Sequence, residues 1–130
     1  MSKKSYDVII PHNHKARPTE LEVASILANY FKTNVRILRK SERFKEPSAD
    51  FEISGIIYEL KSPITSKVSS MEKIIRLASK QSSNVVIDIR RSRITEKRMI
   101  ELCKDRLVNI KRLRKIVLIV KNKKVLEFIK

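Results

Sequence analysis

An aspartate and a downstream Glu-x-Lys occupy one short stretch, Asp50-Phe51-Glu52-Ile53-Ser54-Gly55-Ile56-Ile57-Tyr58-Glu59-Leu60-Lys61. Apolar and polar residues alternate on both sides of Ser54-Gly55, which reads as the two-residue turn of a β-hairpin. Counting outward pairs Ile53 with Ile56 and puts Asp50 directly opposite Glu59. Side chains alternate along a strand, so Asp50, Glu52, Ile57, Glu59 and Lys61 share one face. Phe51, Ile53, Ile56, Tyr58 and Leu60 form the other, wholly apolar face. Carboxylates facing each other at Cβ separations of about 4.5–5.5 Å repel, and a cation between them removes the repulsion. A divalent metal held by two carboxylates beside an ammonium is equipment for hydrolysis.

Phosphodiester hydrolysis needs a metal that polarises the phosphate and acidifies a water, carboxylates that hold it, and a cation for the charge that develops. Asp50 and Glu59 fit as metal ligands, with the backbone carbonyl of Leu60 as a third. Lys61 fits as the group that orients the water or stabilises the transition state. Mg2+ suits an all-oxygen set best, with Mn2+ and Zn2+ as alternatives. The opposing reading is a solvent-facing Glu59–Lys61 pair on an amphipathic hairpin.

The surrounding elements must position these groups. Tyr6–Ile10 reads as a short strand and Pro11–Pro18 as a loop. Thr19–Phe31 reads as a helix started by Pro18-Thr19, with Leu21, Val23, Ala24, Leu27, Ala28, Tyr30 and Phe31 on one face. Glu20 lies near the middle of that face and Glu22 on the opposite side. If the helix packs on the acidic face of the hairpin, Glu20 completes the site. Otherwise Glu20 is a first-turn acid favoured by the helix dipole. Val35–Leu38 reads as a strand and Arg39–Ser48 as a loop. Ser69-x-x-Glu72 resembles a capping box opening a helix with Met71, Ile74, Ile75 and Ala78 inward. Its polar face carries Lys73, Arg76 and Lys80.

Asn84–Ile89 reads as a central strand, followed by Arg90, Arg91 and Arg93, with Asp88 placed to pair with Arg90 or Arg91. Thr95 caps a third helix with Met99, Leu102, Cys103 and Leu107 on one side. Ile116–Val120 and Lys124–Ile129 form a final hairpin around Asn122-Lys123. The order is α-β-β-β-α-β with a C-terminal helix and hairpin, an α/β fold with a mixed central sheet flanked by helices. Residues 1–18 read as an N-terminal strand and loop segment and 19–130 as a single domain.

The chain has 130 residues and a net charge of +16, with 34% charged residues. So one-sided an excess favours a polyanionic partner, nucleic acid before a membrane surface. No segment has the apolar length of a spanning helix, so membrane insertion is not expected, and Met1-Ser2-Lys3-Lys4 shows no signal-peptide pattern. One cysteine excludes an internal disulfide framework, and Cys103, among apolar helix positions, reads as packing. Aromatic residues make up 5% and Trp is absent, which argues for recognition through backbone and shape rather than base stacking. Lys111-Arg112-Leu113-Arg114-Lys115 and Lys121–Lys124 suit a phosphate-binding rim, with a solvated face as the alternative. His12-Asn13-His14 can serve a metal or acid–base role, but two histidines in a Pro-flanked basic loop read first as loop.

The hairpin resembles the core motif of the PD-(D/E)xK nuclease superfamily, the restriction-endonuclease-like fold. The first motif here reads Pro47-Ser48-Ala49-Asp50, so its Pro and Asp are not contiguous. Three blocks, Glu20–Leu27, Asp50–Pro63 and Lys80–Ser92, together resemble the C-terminal toxin domain of contact-dependent growth inhibition proteins, tRNA nucleases of this fold. The resemblance implies metal-dependent tRNA cleavage in the cytoplasm of a competitor and a cognate immunity protein that blocks the site. It carries Glu20, Asp50, Glu59 and Lys61 as the active-site set. Ser62, Lys80, Gln81, Arg90 and Arg91 match as phosphate-binding positions, beside the helical Lys73 and Arg76. Two other readings stand: a DNA endonuclease such as a junction resolvase on the same fold, and a non-catalytic nucleic-acid-binding module.

Overall fold

The computed structural model describes residues 6–12, 15–38 and 50–130. The expected loop at Arg39–Ser48, the Pro47-Ser48-Ala49 part of the first motif, and Asn13-His14 lie outside the described residues. The elements are β1 (Val8–Ile9), α1 (Pro18–Phe31), β2 (Val35–Ile37), β3 (Phe51–Ile53), β4 (Ile56–Lys61), α2 (Val68–Ala78), β5 (Asn84–Asp88), α3 (Glu96–Asn109), β6 (Lys115–Ile119) and β7 (Val125–Ile129). They build a mixed α/β fold around a seven-stranded sheet whose spatial order follows chain order. β2, β3 and β4 form the antiparallel meander. β4, β5 and β6 run parallel, β7 returns antiparallel, and β1 lies parallel to β2 at the other edge.

Two apolar layers enclose the sheet. On one face α1 buries Val23, Ala24, Leu27 and Ala28 against Phe51, Ile53, Tyr58, Val86 and Val117. On the other, α2 and α3 pack Met71, Ile75, Met99 and Cys103 against Val85, Ile87, Ile116 and Leu118. The unbroken apolar run of β5 follows from this, because both of its faces are covered. Truncating a core aromatic such as Phe51, which has no exposed surface, would cost about 3–5 kcal/mol.

Local chemistry sets the element ends. Pro18 occupies the first turn of α1, where its missing N–H costs no helical hydrogen bond. Lys32 closes that helix in the left-handed region at φ 55°, its N–H donating to the Ala28 carbonyl. Thr95 caps α3 as expected, accepting from the Arg98 N–H. The capping box is not formed. α2 begins at Val68, so Ser69 lies inside the helix, and the N-cap position is Lys67, with no side-chain cap bond.

The Ser54-Gly55 turn has positive φ at both positions, 50° and 80°. That is the type I′ geometry, whose twist matches a hairpin. It holds Ile53 opposite Ile56, Glu52 opposite Ile57 and Phe51 opposite Tyr58, the expected register. Ile56, on the apolar face, is 42% exposed beside the turn.

Candidate active site

The register breaks at the residue that matters most. Asp50 does not pair directly opposite Glu59. Its N–H donates to the carbonyl of Tyr58 at 2.9 Å, although Tyr58 already pairs with Phe51. Two residues of one strand thus face one of the other, a bulge that re-aims a side chain. The Asp50 carboxylate turns toward β4, and its Oδ2 accepts the Leu60 N–H at 2.8 Å. In an extended strand the N–H and C=O of one residue leave on the same edge. The carbonyl of Leu60 therefore points to the side where Asp50 sits.

Beyond the end of β3 lies an open cleft of about 370 Å³, lined by Arg17, Thr19, Glu20, Asp50, Leu60, Lys61, Ser62 and Arg91. It lies at the carboxyl ends of the parallel strands, the usual ligand position in an open α/β sheet. Glu59 is 1% exposed and Asp50 7%, so both carboxylates are largely withdrawn from water. Lys61 extends from the same sheet face as Glu59, its Nζ 3.9 Å from Glu59 Oε2. Glu52 is occupied by Arg36 at 3.4 Å on the neighbouring strand.

α1 does not pack on the Glu59–Lys61 face. It covers the opposite one, above Tyr58 and Val86. Glu20 nonetheless lines the cleft from the first turn of the helix. Glu22 is not on an idle side either. Its carboxylate pairs with Arg90 at the end of β5. Arg90 in turn grips Asp88 through Nε to Oδ1 and Nη2 to Oδ2, both 2.9 Å. That hydrogen bond to Arg90 holds the Glu22 carboxyl below its usual range. Arg90 is pushed the other way, first by its bond to Asp88.

Asp88 thus has the structural pairing read from the sequence, to Arg90 and, at 3.6 Å, to Arg91. Ser62 Oγ lies 3.5 Å from Asp88 Oδ2. Of the positions proposed for nucleic acid, Ser62 and Arg91 line the cleft, while Arg90 is committed to acids. Lys73 and Arg76 are exposed on α2 and do not line it. Lys80 and Gln81 lie at the far end of the sheet, beside the Ser82 hydroxyl and the Asn84 amide that bond to the Ile57 carbonyl. The sequence reading missed Arg17 and Thr19, which flank the Pro18 helix start. Any residue there ends up beside Glu20, so the start signal itself carried that information. Cys103 is buried against apolar neighbours, which pushes its thiol up to about 12.

Among the described residues no three His, Cys, Asp or Glu side chains form a metal-ligand group. Asp50, Glu59 and a main-chain oxygen are the groups that could hold a cation, although Glu59 is buried and does not itself line the cleft. Hard oxygen donors of that kind suit Mg2+.

The fold and cleft define a small mixed α/β domain with Glu20, Asp50 and Lys61 gathered at the strand ends. A family model for the contact-dependent growth inhibition CdiA C-terminal domain matches residues 47–125, and the chain belongs to that family. It is thus a growth-inhibition toxin domain. Among solved structures it is similar to a CdiA-CT/CdiI toxin and immunity complex from Burkholderia pseudomallei, at TM-score 0.72 and 19% identity, covering 95% of this chain and 99% of that one. No curated protein matches the sequence. No helix among the described residues is long and apolar enough to cross a membrane.

Proposed function

We propose that this domain is a metal-dependent endoribonuclease of the PD-(D/E)xK type, with tRNA as its preferred substrate, acting in the cytoplasm of the cell that receives it. The observation that carries the reading is the convergence of Asp50, the Leu60 main chain, Lys61 and Glu20 on one cleft at the strand ends. Membership of a growth-inhibition family and the charge of +16 support it.

Asp50, Glu59 and the Leu60 carbonyl would hold the divalent ion. When bound, the ion polarises the phosphate and lowers the pKa of a water. Cleavage adds water across a P–O bond: the water oxygen joins phosphorus, and the leaving sugar oxygen takes up a proton. Lys61 places its ammonium where negative charge gathers on the phosphate. Glu20, across the cleft, orients the attacking water and accepts its proton. Ser62, Arg17 and Arg91 hold flanking phosphates. A cognate immunity protein would cover the same opening, with an acidic surface to match the charge of +16; the similar Burkholderia structure is itself a toxin and immunity complex.

Purified protein incubated with tRNA, duplex DNA and branched DNA, with Mg2+ or with EDTA, tests the reading. Cleavage of tRNA that vanishes in EDTA and in Asp50→Asn supports it. Cleavage of DNA alone selects the resolvase-like reading, and binding without any cleavage selects a non-catalytic module.

A further inference from the structure

The fold separates the two basic clusters that looked equivalent in the sequence. β4, β5 and β6 are parallel and in register, with Lys61 beside Ile87 and Ile87 beside Leu118. The β6–β7 turn that carries Lys121, Lys123 and Lys124 therefore stands at the cleft end of the sheet. Lys111–Arg114 precedes β6, which opens at Lys115, so this cluster stands at the far end. Two strand spacings across and a few residues along put the turn about 14 Å from Lys61, the length of about four stacked nucleotides.

Cations outnumber acids on the ground between, where Glu22 and Glu96 are the nearby carboxylates. Arg91 lines the cleft, and Arg93 is exposed on the loop that follows. Lys121 and Asn122 share a smaller cavity of about 150 Å³ with Ile94, Thr95 and Glu96. Lys123 lies close enough to Glu22 to act on its charge, as Arg91 does. Three of the far-end cations, Arg112, Lys115 and Lys130, are engaged within the fold. Arg112 Nε donates to Ser79 Oγ at 2.9 Å, and Lys115 Nζ donates to the Tyr58 hydroxyl at 3.0 Å and pairs with Glu127 at 3.2 Å. Lys130 Nζ donates to the Ile110 carbonyl at 2.9 Å.

We infer that the β6–β7 turn is a second phosphate-binding site of this domain, in which Lys121, Lys123 and Lys124 hold the backbone of the polynucleotide strand that leaves the cleft past Arg91 and Arg93. This rests on the nuclease reading of the cleft and adds to it the direction in which substrate lies. Lys123 sits in the left-handed region at φ 66°, so asparagine is its gentlest replacement.

The test is tRNA binding in EDTA across a salt series. It compares the parent with Lys121→Ser/Lys123→Asn/Lys124→Ser and with Lys111→Ser/Arg112→Ser/Arg114→Ser. The turn variant should lose at least tenfold in affinity at moderate salt and flatten log K against log salt by about two units, since each lost phosphate contact removes about 0.7–0.9. The far-end variant should move neither quantity. Far-UV melting checks that each variant folds, and the three single turn substitutions, each removing about one contact, stand in if the triple does not. Equal losses from both triples, or none from the turn, would overturn the inference even while the parent still cuts tRNA. A parent that neither binds nor cuts any nucleic acid would overturn the nuclease reading and this inference together.

Discussion

The Leu60 N–H donates to the Asp50 carboxylate at 2.8 Å, so a side chain takes the place of the next rung of the β3–β4 ladder. That bond holds the Asp50 carboxylate at the cleft that Glu20 lines from the helix. It also orients Asp50 beside the main chain that joins Glu59 to Lys61.

Separate roles for Asp50 and Lys61 should separate in experiment. Lys61→Ala is expected to lower kcat by about 10²–10³, the range for losing a donor to developing charge, with Mg2+ or Mn2+ affinity nearly unchanged. Asp50→Asn should lose metal affinity as well as turnover. Calorimetric titration with Mn2+ beside single-turnover cleavage reads both. A loss of metal affinity in Lys61→Ala equal to that in Asp50→Asn would contradict the assignment.

Glu20 and Glu22 should fail differently. Glu20→Gln removes a group in the cleft and is expected to reduce kcat by about 10²-fold, the lower bound for general acid–base work, with the melting temperature nearly unchanged. Glu22→Gln removes the link from α1 to Arg90. Its effect should appear in thermal stability first and leave kcat at low temperature within a few-fold of the parent. Equal losses of kcat in both variants would show that the first turn of α1 does not divide its labour this way.

The Glu22–Arg90 pair also predicts a pH dependence. The hydrogen bond to Arg90 lowers the Glu22 carboxyl in the folded state from its ordinary 4.5. A depressed folded value means that the unfolded chain binds the proton more readily, so the contribution is complete above about pH 4.5 and is lost as pH falls through the folded value. Melting curves of the parent and Glu22→Gln should therefore differ at neutral pH and converge in acid. A gap that widens on acidification would reverse the assigned sign.

Burial raises the Cys103 thiol to about 12. At neutral pH it is protonated and enclosed, and the thiolate is the reactive form. Alkylation of the native protein should be slower by orders of magnitude than alkylation in urea, and Cys103→Ala should leave cleavage intact. Fast labelling of the folded protein would place this thiol at the surface.

Much of the architecture was legible in the chain because it rests on local periodicity. Alternation around Ser54-Gly55 sufficed for the hairpin register from Ile53 to Phe51, and the apolar run Val85–Ile87 announced a strand covered on both faces. Thr95 announced the third helix, whereas Ser69 misled, since a capping pattern costs little to occur by chance within a helix.

The sequence by itself determined the elements, their order and the nearness of Glu59 and Lys61, because a turn and a period of two act over a few residues. Tertiary structure alone decided that Asp50 leaves the ladder at a bulge, that α1 lies on the face away from Glu59, and that Glu22 is spent on Arg90. It also decided that Lys121–Lys124 stands at the cleft end and Lys111–Lys115 does not. Each of these depends on how separate elements dock. Docking is set by contacts between residues far apart in the chain, which no local pattern records.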